Sequence, residues 1–205
     1  MDNNRLTKHV FNNDYATSAT CNNWCSDVKH IMHSIGIVNH YHSKTVVNLS
    51  QVRETIKDIF ADKWSQDILQ AAKLRTYRVF KLEFKCEEYV RLNLEKNERS
   101  LLCQFRCGIL PLRIETGRFV GESPDQRRCV FCDIDTIEDE THFLLECSLY
   151  NDLREATFGA ILTCEHFSNL SKKDKLTVLV NTHPRKSAKY ILRAYLMRKS
   201  ILYRK

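Results

Sequence analysis

The chain of 205 residues is 43% hydrophobic, so it can bury a core as one large domain or two small ones. Its 5 Gly and 3 Pro favour long helices over turn-rich β structure, and no apolar run approaches the ~20 residues of a membrane span. The first residues lack the apolar stretch of a signal peptide, and an odd number of cysteines, nine, argues against a disulfide framework. We therefore expect an intracellular protein, nuclear or cytoplasmic, whose thiols are reduced.

The net charge of +7 is unevenly distributed along the chain. Residues 172–205 hold 11 Lys/Arg against one acid, a local +10, and residues 72–128 hold 13 bases against 8 acids, a local +5. Residues 133–165, between these two regions, hold 9 acids against one base, a local −8. A polyanionic partner should therefore meet the basic flanks and not the acidic segment.

The first predicted elements are a polar segment and a helix. Residues 1–16 are Asn-rich, and we expect them to be poorly ordered. Apolar residues recur at helical spacing over residues 18–35, and Gly36 follows where a C-terminal cap is expected.

The next region carries a stronger helical pattern. An apolar stripe predicts a helix over residues 49–73, capped by Asn48 or Ser50. The following segment, residues 74–94, suits a packed helix or a helix pair, and a strand is also compatible with its pattern.

A short helix and an irregular segment precede the acidic region. Asn97 can cap a helix that ends near Gly108. Residues 109–119 contain Pro111 and Gly117 as breakers, so we expect them to be irregular.

The acidic region begins with a helix signal. Thr136 and Asp139 form a start pattern that places His142 on a helix. Because Cys147 lies five residues after His142, the two cannot share one face of a continuous α-helix, so that helix should end or bend between Leu145 and Cys147. Further helices are predicted over residues 149–162, 172–180 and 185–204.

Four residues carry the most specific motif of the chain. Cys129, Cys132, His142 and Cys147 follow the spacing C-x2-C-x9-H-x4-C, which is the ligand set of a tetrahedral zinc site. All four positions are filled by protein ligands, so one Zn2+ here would be structural and not catalytic. The alternative is four unrelated buried side chains. The sequence predicts a helical bundle-like body with this small zinc knuckle inserted.

The remaining cysteines give weaker patterns. Cys21, Cys25, His30 and His33 could form a second metal site, but all four also fit one amphipathic helix with packed thiols, which is the reading we favour. Cys103 and Cys107 are four residues apart, and buried small hydrophobic side chains explain them best.

Basic residues supply candidate contacts to nucleic acid. They can pair with phosphates, and the alternatives are solvated charge or ion pairs with the acidic segment. The candidates are Arg113, Arg118, Arg127, Arg128, Arg185, Lys189, Arg193, Arg198 and Lys199. The acidic trio Glu138, Asp139 and Glu140 would repel phosphate and should face away from such a partner.

Four strings between residues 74 and 154 resemble a known family. They are LRTYRVFK, RCGILPLRIETGRF, RRCVFC and EDETHFLLECSLYNDLR. Together they resemble the C-terminal region of non-LTR retrotransposon reverse transcriptases, which includes the reverse-transcriptase zinc-binding (CCHC) domain. The resemblance implies zinc ligation by the four motif residues and a role in holding RNA or DNA beside a reverse-transcriptase domain.

The same resemblance does not imply catalysis by this chain. Such a polymerase needs a Y-x-D-D string for two Mg2+ ions, and the sequence has no Asp-Asp pair. Some members of the resembled family carry an endonuclease with a Pro-Asp element after the knuckle. The Pro124-Asp125 pair of this chain lies before the knuckle instead. We therefore expect a non-catalytic module with no small-molecule substrate.

Two functions stay open at this point. The first is a zinc-stabilised module that binds RNA or DNA with weak sequence specificity. The second is a protein-interaction scaffold or a non-functional remnant of a retroelement polyprotein. We predict four segments: residues 1–16 disordered, 17–108 helical, 109–165 zinc-binding and 166–205 a basic helical tail.

Overall fold

The computed structural model describes residues 6–203 and is mainly α-helical, as the composition predicts. Within these residues there is no β-strand, only one isolated antiparallel bridge between Arg128 and Ile137. None of their helices combines the length and apolar character needed to span a bilayer. The helices are α1 (Leu6–Thr17), α2 (Trp24–Ser34), α3 (Val38–Ser43), α4 (Leu49–Gln70), α5 (Tyr77–Phe80), α6 (Glu88–Arg91), α7 (Lys96–Arg106), α8 (Arg113–Thr116), α9 (Asn151–Leu162), α10 (Glu165–Ser168), α11 (Lys172–Thr177) and α12 (Pro184–Leu202).

Short helical turns of other types complete the chain. The 3-10 turns cover Ala72–Leu74, Gly117–Val120, Pro124–Gln126 and Ser148–Tyr150, and π-helical turns cover His142–Glu146 and Val178–Thr182. The chain divides into two compact units, Met1–Gln66 and Asp67–Lys205.

The N-terminal helix of the first unit corrects one prediction. Residues 6–16, expected to be poorly ordered, form most of α1, while residues 1–5 lie outside the described range. Aromatic contacts explain the difference: the Phe11 ring lies 6.2 Å from that of Trp24, and the Tyr15 ring lies 5.1 Å from that of Tyr41. This packing stabilises a helix whose own sequence gives little helical signal.

Helix caps in the first unit follow the expected chemistry. Asn23 caps α2, which therefore begins at Trp24 and not near residue 18, and Gly36 adopts φ +75° just beyond its end, as predicted. The side chain of Asn48 accepts hydrogen bonds from the backbone of Ser50 (3.0 Å) and of the next residue, so Asn48 is the cap of α4.

The segment 74–94 is more broken than a helix pair. It contains only the single-turn helices α5 and α6, and its buried Phe80 packs on Phe105 of α7 with the ring centroids 6.0 Å apart. Helix α7 begins with a capping box formed by Glu95 and Glu98, so Asn97 is not its cap.

The core of the second unit lies between α7, α9 and α12. Phe105, Phe143, Tyr150, Phe158 and Tyr190 form a chain of aromatic contacts, with centroid separations from 5.0 to 6.5 Å. One continuous cluster of buried residues runs from Phe80 to Ala194, so the predicted segments 109–165 and 166–205 contribute to the same core.

Candidate metal centre

A tight turn presents the first two thiols of the motif. The backbone N–H of Phe131 donates to Cys129 Sγ (3.4 Å), and the N–H of Cys129 donates to the Thr136 carbonyl (2.8 Å). Asp135 adopts a positive φ of 45°, which turns the chain back so that Ile137 pairs with Arg128. This return connection carries the chain toward the second pair of ligands.

A π-helical turn presents His142 and Cys147. The Asp139 side chain caps the turn by accepting from the His142 N–H (2.8 Å), and the Cys147 N–H donates to the His142 carbonyl (2.9 Å). This bond joins residues five apart, one more than in an α-helix, so the two ligands lie on the same side of the turn. The predicted helix end before Cys147 is confirmed, since the π turn finishes at Glu146.

The four donor atoms are close enough to hold one metal ion. All lie within 4.8 Å of one another, with Cys129 Sγ 3.9 Å from Cys147 Sγ and Cys132 Sγ 3.4 Å from His142 Nε2. Ligands of one tetrahedral zinc ion would be separated by about 3.8 Å for two sulfurs and about 3.5 Å for a sulfur and a nitrogen. These two distances fit this geometry.

The titration of the ligands reflects their mutual contact. Hydrogen bonding by Cys147 lowers the pKa of Cys129 to about 3, and the same bond, together with burial, raises the pKa of Cys147. Burial lowers the pKa of His142, but its hydrogen bond to Cys129 and the charge of that thiolate outweigh burial and raise it overall. A thiolate is therefore already favoured within this cluster.

The second nitrogen of His142 supports the same arrangement. With Nε2 facing the sulfurs, Nδ1 is buried and has no hydrogen-bond partner within residues 6–203. Its nearest carboxylate is that of Glu146, whose Oε2 lies 3.7 Å away and whose Oε1 pairs with Lys172 at 2.5 Å. A carboxylate at this position is the usual outer partner of a metal-bound imidazole, because it orients the ring.

Buried hydrogen bonds hold the π turn against the core. Arg154 is buried and donates to the carbonyls of Leu144 (2.9 Å) and Cys147 (2.8 Å) at the end of the turn. The Tyr190 hydroxyl donates to the Phe143 carbonyl (3.1 Å). No role for Arg154 was predictable from the sequence, because a single basic residue in an acidic segment has no distinguishing local pattern.

Two of the three acidic residues beside the knuckle are buried, and the expectation that this trio faces away from a nucleic acid stays a prediction. Glu138 is buried and accepts from Arg198 Nη2 at 2.9 Å, and Glu140 is buried and pairs with Arg75 at 2.9 Å. Burial raises the pKa of Glu138 to about 7 against the opposing charge of Arg198. Arg198, predicted as a surface phosphate contact, is thus a buried residue.

The four arginines near the irregular segment have partners inside the protein. Arg113 pairs with Glu122, Arg118 with Glu115 (2.5 Å) and Arg128 with Asp135 (2.9 Å). Arg127 donates to the carbonyls of Ile114 (2.7 Å) and Glu122 (2.8 Å). Ion pairing with the acidic segment 133–165 was one of the alternatives considered, and of these acidic partners only Asp135 belongs to that segment. Phosphate contact by these arginines stays a prediction.

Helix α12 presents the other basic candidates to solvent. Arg185, Lys189 and Arg193 are exposed and lie four residues apart, so they form one row along the helix, opposite its buried face. Lys186 and Lys199 are exposed beside this row. Arg185 donates to the Asn93 carbonyl (3.2 Å), whereas the side chains of Lys189, Arg193 and Lys199 form no ion pair within residues 6–203.

The other cysteines do not join a metal cluster in the part of the chain that the structure describes. Cys25 is buried and its thiol faces the Phe11 carbonyl at 3.9 Å, while Cys21 is exposed. On α7, Cys103 is exposed, and burial raises the pKa of Cys107 to about 11, which keeps that thiol protonated.

Comparisons of this chain with protein-family models, with curated proteins and with solved structures found no match.

Proposed function

We propose that Cys129, Cys132, His142 and Cys147 hold one structural Zn2+ ion. The observation behind this proposal is that three sulfurs and one ring nitrogen lie within 4.8 Å of one another, two of the pairs at the separations of a tetrahedral ion, with no fifth protein ligand among the described residues. With four protein ligands the ion has no open position for a substrate, so its contribution is folding energy.

The function that we propose for the whole chain is non-catalytic binding of RNA or DNA. The observation that carries it is the basic row of α12, whose Lys189 and Arg193 face solvent without acidic partners in residues 6–203. Contacts from such a row to backbone phosphates are independent of base sequence. The resemblance to the tail of a retrotransposon reverse transcriptase supports the same proposal, with a polymerase domain as the neighbouring partner.

A paired-variant binding experiment tests this function. Filter binding to single-stranded RNA, duplex RNA and duplex DNA is measured at two or more salt concentrations for the wild type and for Lys189→Gln/Arg193→Gln. The variant should bind each nucleic acid that the wild type binds with an affinity lower by about tenfold or more. The steepness of the plot of log K against log salt should decrease by about 2.

The matched control is Arg53→Gln/Lys63→Gln, which removes the same charge from exposed positions of α4. Equal losses in both double variants would mean that net charge, not the α12 row, drives binding. A salt-independent affinity, or no affinity for any of the three nucleic acids, would overturn the proposal.

A protein-interaction scaffold is the second candidate, and α4 favours it. Ile56, Ile59 and Leu69 are 41%, 44% and 63% exposed, although each belongs to the apolar stripe of this helix. Exposed apolar residues repeated on one helix are typical of protein-binding surfaces. Measurable binding of a protein partner together with failure of the nucleic-acid experiment would favour this reading.

A further inference from the structure

A small cavity lies where the knuckle, the irregular segment and the end of α12 meet. Its volume is about 170 Å3, and its lining includes Arg113, Thr116, Val130, Arg198, Lys199 and Leu202. Three of these side chains are cationic. The carboxylates that pair with the two arginines, Glu122 and Glu138, are not among the described residues that line it.

Arg198 is the unusual residue of this cavity, because its guanidinium is held in place but only partly used. The side chain is 4% exposed, Nη2 donates to Glu138, and the guanidinium carbon lies 4.6 Å from the centre of the Phe131 ring. Its Nε and Nη1 are buried and have no hydrogen-bond partner within residues 6–203. Buried donors left unpaired are destabilising, so a hydrogen-bond acceptor beside these two nitrogens would be stabilising.

The chemistry of the cavity selects an anionic acceptor. The unused N–H groups of Nε and Nη1 lie on opposite edges of the guanidinium, so one of them can donate to one phosphate oxygen, and the Lys199 ammonium adds a second positive charge. Glu138 neutralises only the Nη2 side of Arg198, so it fixes the guanidinium without occupying its other donors. Water is the competing occupant, since it also supplies oxygen acceptors.

We propose that this cavity binds one phosphate group, with Arg198 as the buried donor and Lys199 as the second cation. This inference deepens the proposed function and rests on it for the source of the phosphate, which is the backbone or a terminus of a nucleic acid, or a free phosphate. Val130 and Phe131 belong to the turn between Cys129 and Cys132, so metal binding should keep the cavity in shape.

Calorimetric titration of the zinc-loaded full chain with inorganic phosphate tests the site. The wild type should bind one phosphate per chain, and Lys199→Gln should weaken binding by about tenfold. Lys186→Gln is the matched control: it removes the same charge from an exposed position of the same helix, outside the cavity lining, and should leave the affinity within about twofold.

A second variant tests Arg198 without removing its charge. Arg198→Lys can still pair with Glu138 but cannot place a further donor at the position of Nε or Nη1, so it should lose about tenfold or more in phosphate affinity while keeping its zinc content and helical circular dichroism. Absence of phosphate binding by the wild type, or equal affinities of Lys199→Gln and Lys186→Gln, would show that the cavity holds only water and would overturn the inference.

Competition identifies the source of the phosphate once the site is established. If inorganic phosphate displaces both a 5′-hydroxyl and a 5′-phosphorylated oligonucleotide, the cavity binds a backbone phosphate. If it displaces only the phosphorylated oligonucleotide, the cavity binds a terminal phosphate. Phosphate binding without any oligonucleotide binding would support the cavity and contradict the proposed function. Oligonucleotide binding that falls equally in the Lys186 and Lys199 variants would support the function and contradict the cavity.

Discussion

Cys132 is the ligand whose replacement best separates metal binding from packing, because it is only half-buried while Cys129, His142 and Cys147 are buried. Replacing Cys132 by Ser should reduce bound zinc well below one ion per chain and increase amide hydrogen exchange over residues 127–150, since the metal contributes folding energy. Elemental analysis and hydrogen exchange measure both effects. Cys103→Ser, at an exposed position of α7, is the control and should keep its zinc. A wild-type chain without zinc would refute the metal site.

The affinity of the site for zinc should increase with pH. Without metal, the raised pKa of Cys147 keeps that thiol protonated, whereas Cys129, with a pKa of about 3, is already a thiolate. Zinc binding must therefore release at least the Cys147 proton, and the apparent association constant should rise about tenfold or more per pH unit between pH 6 and 8. Chelator competition at several pH values measures this slope. A flat profile would mean that no thiol proton is displaced.

Individual residues also show where the sequence was informative. The proximity of the four candidate ligands was predictable because their spacing is typical of a zinc motif, and the structure brings all four together. Arg154 and the pairing of Arg198 with Glu138 were not predictable, since their partners lie 7 to 60 residues away and depend on how the helices pack.

Among the elements, the end of α7 depends on one backbone conformation. Gly108 follows this helix with φ +69°, and a Cβ built on it would lie 2.8 Å from the Thr76 hydroxyl oxygen. Gly108→Ala should therefore lower the free energy of unfolding by about 1–3 kcal/mol, through backbone strain and steric conflict. Denaturant unfolding measures the change.

Gly121→Ala is the matched control for that substitution. Gly121 has a similar φ of +78°, but a Cβ there would meet nothing within 4 Å, so only the backbone strain applies. The Gly108 variant should be the less stable of the two. Equal losses would show that Thr76 moves aside at negligible cost.

The elements that the sequence predicted well are those with a long periodic pattern. Helices α4, α9 and α12 lie within a few residues of their predicted bounds. For α4 and α12 the prediction used apolar residues that recur at helical spacing. The segment 74–94 was not predictable, since its apolar residues are anchored one by one on other elements. The sequence indicated the π turn at His142 only indirectly. The spacing of five residues between His142 and Cys147 does not place both side chains on one face of an α-helix.

In the second unit as a whole, the proposed metal site shares its core with α7 and α12. Phe143, on the ligand-bearing turn, contacts Phe105 and Tyr190 with ring centroids 6.1 and 6.2 Å apart. Chelation of the metal should therefore destabilise α7 and α12 as well as the knuckle, and should lower the melting temperature of this unit by about 10 °C or more.

Calorimetry with and without chelator, together with hydrogen exchange, checks that expectation. The amides of α12 should lose protection in the same transition as residues 127–150, and chelator should have no further effect on Cys132→Ser. Loss of protection confined to residues 127–150 would show that the knuckle unfolds separately from its surroundings.

Charge counts along the chain predicted the basic face of α12 but overstated the basic middle region. The local +5 of residues 72–128 includes four arginines whose partners lie within the unit, which no sum of charges can reveal. The exposed row on α12 was predictable because helical spacing separates it from the apolar face.

The shared aromatic core has a consequence for anyone who wishes to transplant the knuckle. A peptide cut from residues 109–165 would carry all four ligands but would leave Phe143 and Tyr150 in water, without Phe105 and Tyr190 to cover them. Such a peptide would have only its metal ion to hold it folded. Grafting the motif into another protein therefore requires a host that supplies two helices in place of α7 and α12.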